Sequence, residues 1–314
     1  MKSSIVSVFL TFVFLTVLLS GCAPASTLIP SAATATSTLI PPTNTSVPTA
    51  TAPPPTATPK PEPALYTVSR NGVVTQISLA GDTRNILDGI TGYSIQILAY
   101  ELYTCAQGQS EIVVYDLDSN LLRTMPMPPD VYCREFTVLP DGRIAVLSNY
   151  DDKVFFIDST GKLLATANIL DAKDDQGQNL SAVVVDNRLV LSEDGKKHVL
   201  AFDLNTYERL IFKDFSGLPG AWLGAITYDD GAFYLATADT IYKFTDTTDA
   251  TIVAKLPEGN ITSITILDGV AYVSVNFTGE IYKVNTSDGT ISVFLTGLDF
   301  PNDLVLTIPS PIRR

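Results

Sequence analysis

The feature that most constrains this fold is a unit of about 42 residues, written six times between Ala64 and Arg314. Its marker is a short strand ending in a polar residue, as in VTQISLAG, VVYDLDSN, VFFIDSTG, VLAFDLNT, IYKFTDTT and IYKVNTSD. The polar residue falls at Ser78, Asp116, Asp158, Asp203, Thr245 and Asn285, at spacings of 38, 42, 45, 42 and 40. A steady period of this length means that each unit buries its apolar faces against neighbouring copies. No stretch of a dozen residues places apolar side chains at i, i+3 and i+4, so the repeat is all-β.

A second landmark precedes the marker strand. Two arms of alternating apolar residues flank a turn at Asp141-Gly142, Asp186-Asn187, Asp230-Gly231 and Asp268-Gly269, and less clearly at Tyr100-Glu101. Asp, Asn and Gly accept the positive φ that two-residue hairpin turns require. A further strand follows each polar turn, as in LLRTMPM, LLATANI, RLIFKDF, TIVAKLP and TISVFLT. Four strands per unit is the make-up of a propeller blade. The last segment, FPNDLVLT from Phe300, has no hairpin arm after it, and ALYTVS from Ala64 has none before it. Together they are predicted to complete a sixth blade, with the C-terminal strand innermost. Closing the ring this way removes open sheet edges. The expected fold is a six-bladed β-propeller over residues 64–314.

The residues before the repeat divide at Cys22. Lys2, the apolar run Ile5–Leu19 and the small residues Ser20-Gly21 have the three parts of a secretion signal over residues 1–21. Its apolar core is shorter than the roughly 20 residues that a permanent membrane span needs. The tetrad Leu19-Ser20-Gly21-Cys22 resembles the bacterial lipobox. That resemblance implies that Cys22 carries the lipid, palmitate among its acyl chains, and that the chain sits on the extracytoplasmic face of the cell membrane. Two or more acyl chains hold a protein there without any protein–membrane contact. Residues 22–63 hold 11 of the 20 prolines, no glycine and no aromatic residue, and read as a disordered linker. Proline-rich chains extend by about 3.1 Å per residue, so this one could reach on the order of 100 Å.

Composition narrows the chemistry. His198 is the single histidine, at the start of the strand HVLAFDL, which argues against a Ser-His-Asp triad and histidine-rich metal sites. No phosphate loop, zinc spacing or dinucleotide fingerprint appears. Residues 64–314 carry a net charge of −14, where nucleic-acid binding wants a basic face, so no nucleic-acid partner is expected. With Cys22 lipidated, Cys105 and Cys133 remain as an even pair in an oxidising compartment, and a disulfide between neighbouring blades is expected. Trp222, with Phe212, Phe215 and Tyr228, reads either as packing between blades, the plainer account, or as a sugar-stacking platform.

The segments GLDFPNDLVL, Gly297 to Leu306, and VLPDGRIAVL, Val138 to Leu147, resemble the repeat signature of NHL-type propellers. The period also resembles the wider superfamily of senescence-marker-protein (SMP-30) and gluconolactonase-like sugar lactonases. That resemblance implies a divalent cation in the central channel, held by one Glu, two Asn and one Asp at the starts of innermost strands. At or near those starts Glu135, Asn179, Asn302 and Asp303 supply oxygen types suited to a hard cation such as Ca²⁺, in an order and register that depart from the family's. Asn302 matches best, whereas Asp303 stands where the family has glycine. These side chains also read as partners for backbone amides in a polar channel. Two functions follow. One is a surface-displayed module binding a protein, a glycan or a small molecule; the other is a metal-dependent sugar-lactone hydrolase. The fold alone does not choose between them.

Overall fold

The computed structural model describes residues 62–307, apart from 91–93, 106–109, 130, 132, 134, 149–150, 170–179 and 219–221. The signal segment, Cys22, all but the end of the linker, and Asn179 lie outside the described residues.

All regular structure among the described residues is β-strand, in six four-stranded antiparallel sheets. Blade 1 contains β1 (Ala64–Ser69), β2 (Val74–Ser78) and β3 (Thr83–Leu87); blade 2 contains β4 (Ser94–Leu98), β5 (Glu101–Cys105), β6 (Glu111–Asp116) and β7 (Leu121–Pro126). Blade 3 contains β8 (Glu135–Val138), β9 (Ile144–Ser148), β10 (Lys153–Ile157) and β11 (Leu163–Asn168). Blade 4 follows with β12 (Leu180–Val185), β13 (Arg188–Glu193), β14 (His198–Asp203) and β15 (Arg209–Asp214). Blade 5 contains β16 (Leu223–Asp229), β17 (Ala232–Thr237), β18 (Thr240–Phe244) and β19 (Thr251–Lys255). Blade 6 contains β20 (Ile261–Leu267), β21 (Val270–Val275), β22 (Glu280–Asn285) and β23 (Ile291–Leu295). The final strand, β24 (Pro301–Thr307), returns to blade 1, whose order is β24-β1-β2-β3. This is the closure expected from the two incomplete ends. The six innermost strands follow one another as a ring, each touching the next from β24 through β4, β8, β12, β16 and β20 back to β24.

The six polar landmarks share one task. Each closes the turn between the third and fourth strands of its blade by accepting backbone N–H groups, as Asx and hydroxyl turns do. Asp116 accepts from Asp118 and Asn120, Asp158 from Thr160 and Lys162, and Asp203 from Asn205 and Thr206. Ser78, Thr245 and Asn285 do the same for Asp82, for Thr247 and Thr248, and for Ser287. The repeat was visible because a turn with this geometry needs a short polar side chain at one position.

Two expected hairpin turns are displaced. In blade 2 the left-handed residues are Ala99 and Tyr100, and Glu101 begins β5, where it pairs with Arg123 at 2.6 Å. In blade 3 the turn is wider: the Leu139 N–H bonds to Arg143 O, and only Gly142, at φ +86°, is left-handed. Asp141 keeps ordinary φ and holds Arg143 instead.

Apolar faces fill most of the space between blades. Leu189, Leu191 and Leu200 of blade 4 pack with Leu147, Val154 and Phe156 of blade 3, and Val273 and Tyr282 of blade 6 pack with Tyr234 and Ala236 of blade 5. Cys105, at the end of β5, and Cys133, just before β8, form the expected disulfide, with Cα atoms 6.1 Å apart. It staples blade 2 to the start of blade 3, a cross-link worth roughly 3 kcal/mol for a loop of this size.

Candidate functional site

The innermost strands bring two of the sequence candidates together. Glu135 opens β8 and Asp303 is the third residue of β24, and Ser94, which opens β4 between them, reaches both. Its Oγ lies 2.9 Å from Glu135 Oε1 and 3.2 Å from Asp303 Oδ2. Asp303 also accepts from the Ile95 and Leu304 N–H groups and from Ser263 Oγ on β20. One line of side chains thus runs Ser263, Asp303, Ser94, Glu135 across four consecutive blades, over the point where the chain's two ends meet.

The proton count of this line is informative. A serine hydroxyl carries one proton, so Ser94 donates to one carboxylate at a time. Both contacts are hydrogen bonds together only when one carboxyl holds a proton of its own. Burial pushes the Asp303 carboxyl above the ordinary aspartate range, against the donors that favour its ionised form.

The cation site implied by the resemblance was tested against the donor set. Asp303 already faces four protein groups, the Ile95 and Leu304 N–H groups and the hydroxyls of Ser94 and Ser263. Asn302, beside it on β24, has a buried Nδ2 with no partner among the described residues; that atom is a donor and not a cation ligand. No group of three or more His, Cys, Asp or Glu residues placed to hold a metal occurs among the described residues. Asn179, the fourth candidate, lies outside the described residues.

His198 opens β14, with Nε2 4.0 Å from Asp214. Phe212 and Phe215 pack edge-on against Phe233 and Phe244 in the core between blades 4 and 5, which favours the packing account for these two, whereas Tyr228 is exposed and tilts against Phe233.

A second site went unnoticed in the sequence. At the seam between blades 6 and 1 the lower half is apolar, with Leu65, Ile77, Tyr272, Ile281 and Leu304 in contact. Above them lies an open cleft of about 310 Å³ between the polar face of blade 1 and the segment Gly297–Pro301. Thr67 pairs across the sheet with Thr75, and Thr75 with Asn85, so the three side chains form a row on the face that carries Leu65 and Ile77 lower down. Thr75 donates to Asn85 Oδ1 at 3.1 Å. The Thr67 hydroxyl, on a residue only 2% exposed, has no partner among the described residues. Leaving such a group unpaired costs about 1–3 kcal/mol. The positions in the same register elsewhere are Thr104 with Val113, Val146 with Phe155, Leu191 with Leu200, Leu235 with Tyr242, and Val273 with Tyr282; Thr104 of blade 2 spends its hydroxyl on Val113 O. The signal was in the sequence as threonine at both paired positions of blade 1, where each sister blade carries at least one apolar or aromatic residue, but only the register shows which residues correspond.

No family model and no curated protein sequence matches this chain. Solved structures do. One chain of a nidogen/laminin complex aligns with a TM-score of 0.65 at 10% identity, over 79% of this chain and 99% of that one. A streptogramin B lyase aligns with a TM-score of 0.57 at 17% identity, over 79% and 88%. The virginiamycin B lyase of Staphylococcus aureus gives 0.55 at 18% identity, over 74% and 84%. At these identities the likeness is one of fold, and the chain is a six-bladed β-propeller with structural neighbours in a nidogen/laminin complex and among streptogramin lyases.

Proposed function

We propose that this chain is a lipid-anchored, extracytoplasmic propeller that binds a ligand. Cys22 would carry the acyl chains, and residues 22–63 would hold the propeller away from the membrane. The observation that carries the binding reading is the cleft between blades 6 and 1, where the Thr67 hydroxyl is buried with its hydrogen-bonding capacity unspent. Burying an unpaired polar group disfavours folding, and a ligand supplying the missing partner offsets that cost. The inner-strand line gives less support to catalysis, because Asp303 spends its acceptors inside the protein.

The neighbouring folds include both lyases and a propeller solved in a protein complex, so either kind of role is open to this architecture. A metal-dependent sugar-lactone hydrolase is the second reading, favoured by the convergence of Glu135 and Asp303 on Ser94. It requires Asp303 to release donors it now holds.

Two measurements test the proposal. Expression in a bacterial host with labelled palmitate should label the wild type and leave Cys22→Ala unlabelled and released from the membrane. Melting of the full chain against a mixed panel of saccharides, peptides and lactones should show at least one compound that raises the transition. A ligand at 100 times its Kd adds about 2.7 kcal/mol of stability. Chelator-sensitive lactone opening abolished by Glu135→Ala would replace binding with hydrolysis as the main activity.

A further inference from the structure

We propose that the cleft between blades 6 and 1 binds a neutral polyhydroxylated ligand, a single sugar or the end of a glycan; this rests on the binding reading above and names its ligand class. The volume of about 310 Å³ is at the small end of the range for small-molecule sites, about 300–1,000 Å³. Its polar lining comes from Thr67, Ser69, Asn71, Thr75, Asn85 and Asp299. Hydroxyls and amides both donate and accept, which matches a ligand whose polar groups are themselves hydroxyls. Among the described residues no lysine or arginine lines the cleft itself. The one carboxylate, Asp299, already accepts from Asn71 Nδ2, an arrangement that leaves it further lone pairs for ligand hydroxyls.

The flank of the cleft adds the other half of sugar recognition. Phe300 lies between the lining residues Asp299 and Pro301 and holds φ +43°, a backbone conformation that bulky residues rarely adopt. Its ring meets that of Phe277 edge-on, with centroids 6.2 Å apart, and Arg70 lies over it at 5.8 Å. Phe277 is 70% exposed, a large aromatic face kept in water beside a polar cleft. Hydroxyl contacts inside and C–H stacking at the rim are what a pyranose offers, since it is polar at its edge and apolar on its faces.

The test is titration of the full chain in detergent with a panel of neutral mono- and disaccharides, the matching hexuronates and amino sugars, and short peptides. At least one neutral saccharide should bind with a Kd of about 1 mM or tighter, the level that three or four net hydrogen bonds supply. Thr67→Val should weaken it at least tenfold without lowering the melting temperature, and Phe277→Ala should weaken it severalfold. Asn85→Ala serves as the second cleft variant if Thr67→Val fails to fold. Binding of a hexuronate or peptide in preference, lost in the cleft variants, keeps the binding reading and overturns the sugar assignment. Saccharide binding unchanged in Thr67→Val, Asn85→Ala and Phe277→Ala overturns the site. Absence of binding by every panel member overturns both.

Discussion

The seam between blades 6 and 1 and the interface between blades 5 and 6 are built on the same strand positions and filled differently. Between blades 5 and 6 the central position holds Val273 against Tyr282, and both are packed in a continuous apolar cluster. At the seam the same position holds Thr67 against Thr75, and the upper half opens into a cleft. The difference shows that backbone register and interface packing are separable. A propeller needs every inner strand to meet its neighbours, but not every interface to be dry to the top. At the seam, part of the apolar cement is replaced by directional bonds. Asp303 on the last strand ties β4 on one side and β20 on the other, so the joint between the chain's ends is held by a buried carboxylate below an open cleft.

The largest test of that contrast is truncation at equivalent positions. Leu200→Ala, in the dry interface between blades 3 and 4, should cost about 3–5 kcal/mol through lost burial and a cavity. Thr75→Ala at the seam should cost less than about 1 kcal/mol, because its side chain already borders open space. Chemical denaturation of both variants checks this, and equal costs would show the cleft to be closed in solution.

Next in size is the buried carboxylate. Asp303→Ala takes the carboxylate acceptor from the Ile95 and Leu304 N–H groups, while Ser94 keeps Glu135 and Ser263 keeps Leu304 O, and should cost about 3 kcal/mol, at 1–3 kcal/mol for each of the two N–H groups. Glu101→Ala removes a more exposed ion pair with Arg123 and should cost under about 1 kcal/mol in the same assay.

A smaller effect is its pH dependence. Burial raises the folded pKa of Asp303 above that of a free aspartate, so its contribution to stability is largest at low pH and is lost as pH rises through the folded pKa. The gap in melting temperature between wild type and Asp303→Ala should therefore widen as pH falls from about 8 to about 5. A gap that narrows on acidification would mean that Asp303 stays ionised and that Glu135 carries the shared proton.

The smallest expected change is Thr67→Val, which exchanges a buried unpaired hydroxyl for a methyl of nearly the same shape. It should leave stability unchanged or raise it by about 1 kcal/mol while ligand binding falls. A clear loss of stability would reveal a partner for that hydroxyl in solution.

Much of this architecture was legible in the sequence for a local reason. The turn that ends each third strand needs a short polar acceptor at one place, so Asp116, Asp158 and Asp203 recur at nearly constant spacing. The hairpin turns in blades 2 and 3 were less legible, since Ala99-Tyr100 and the wider Leu139–Arg143 turn achieve their conformations without an Asp-Gly pair. Among the candidate site residues, Glu135 and Asp303 were recognised as oxygen donors at inner-strand starts. Ser94, the residue that joins them, is an ordinary serine in sequence.

The sequence by itself determined the number of blades, the strand order within them and the closure by the C-terminal strand, because period, alternation and turn chemistry are local properties. It also paired Cys105 with Cys133 by leaving no other cysteines after Cys22. Tertiary structure alone decided which residues meet across blades. The Ser263–Asp303–Ser94–Glu135 line spans residues up to 209 positions apart, and the Thr67–Thr75–Asn85 row becomes a cleft only where a segment from the other end of the chain stands opposite. Contacts of that range are set by how the ring closes, and closure leaves no periodic mark on the chain.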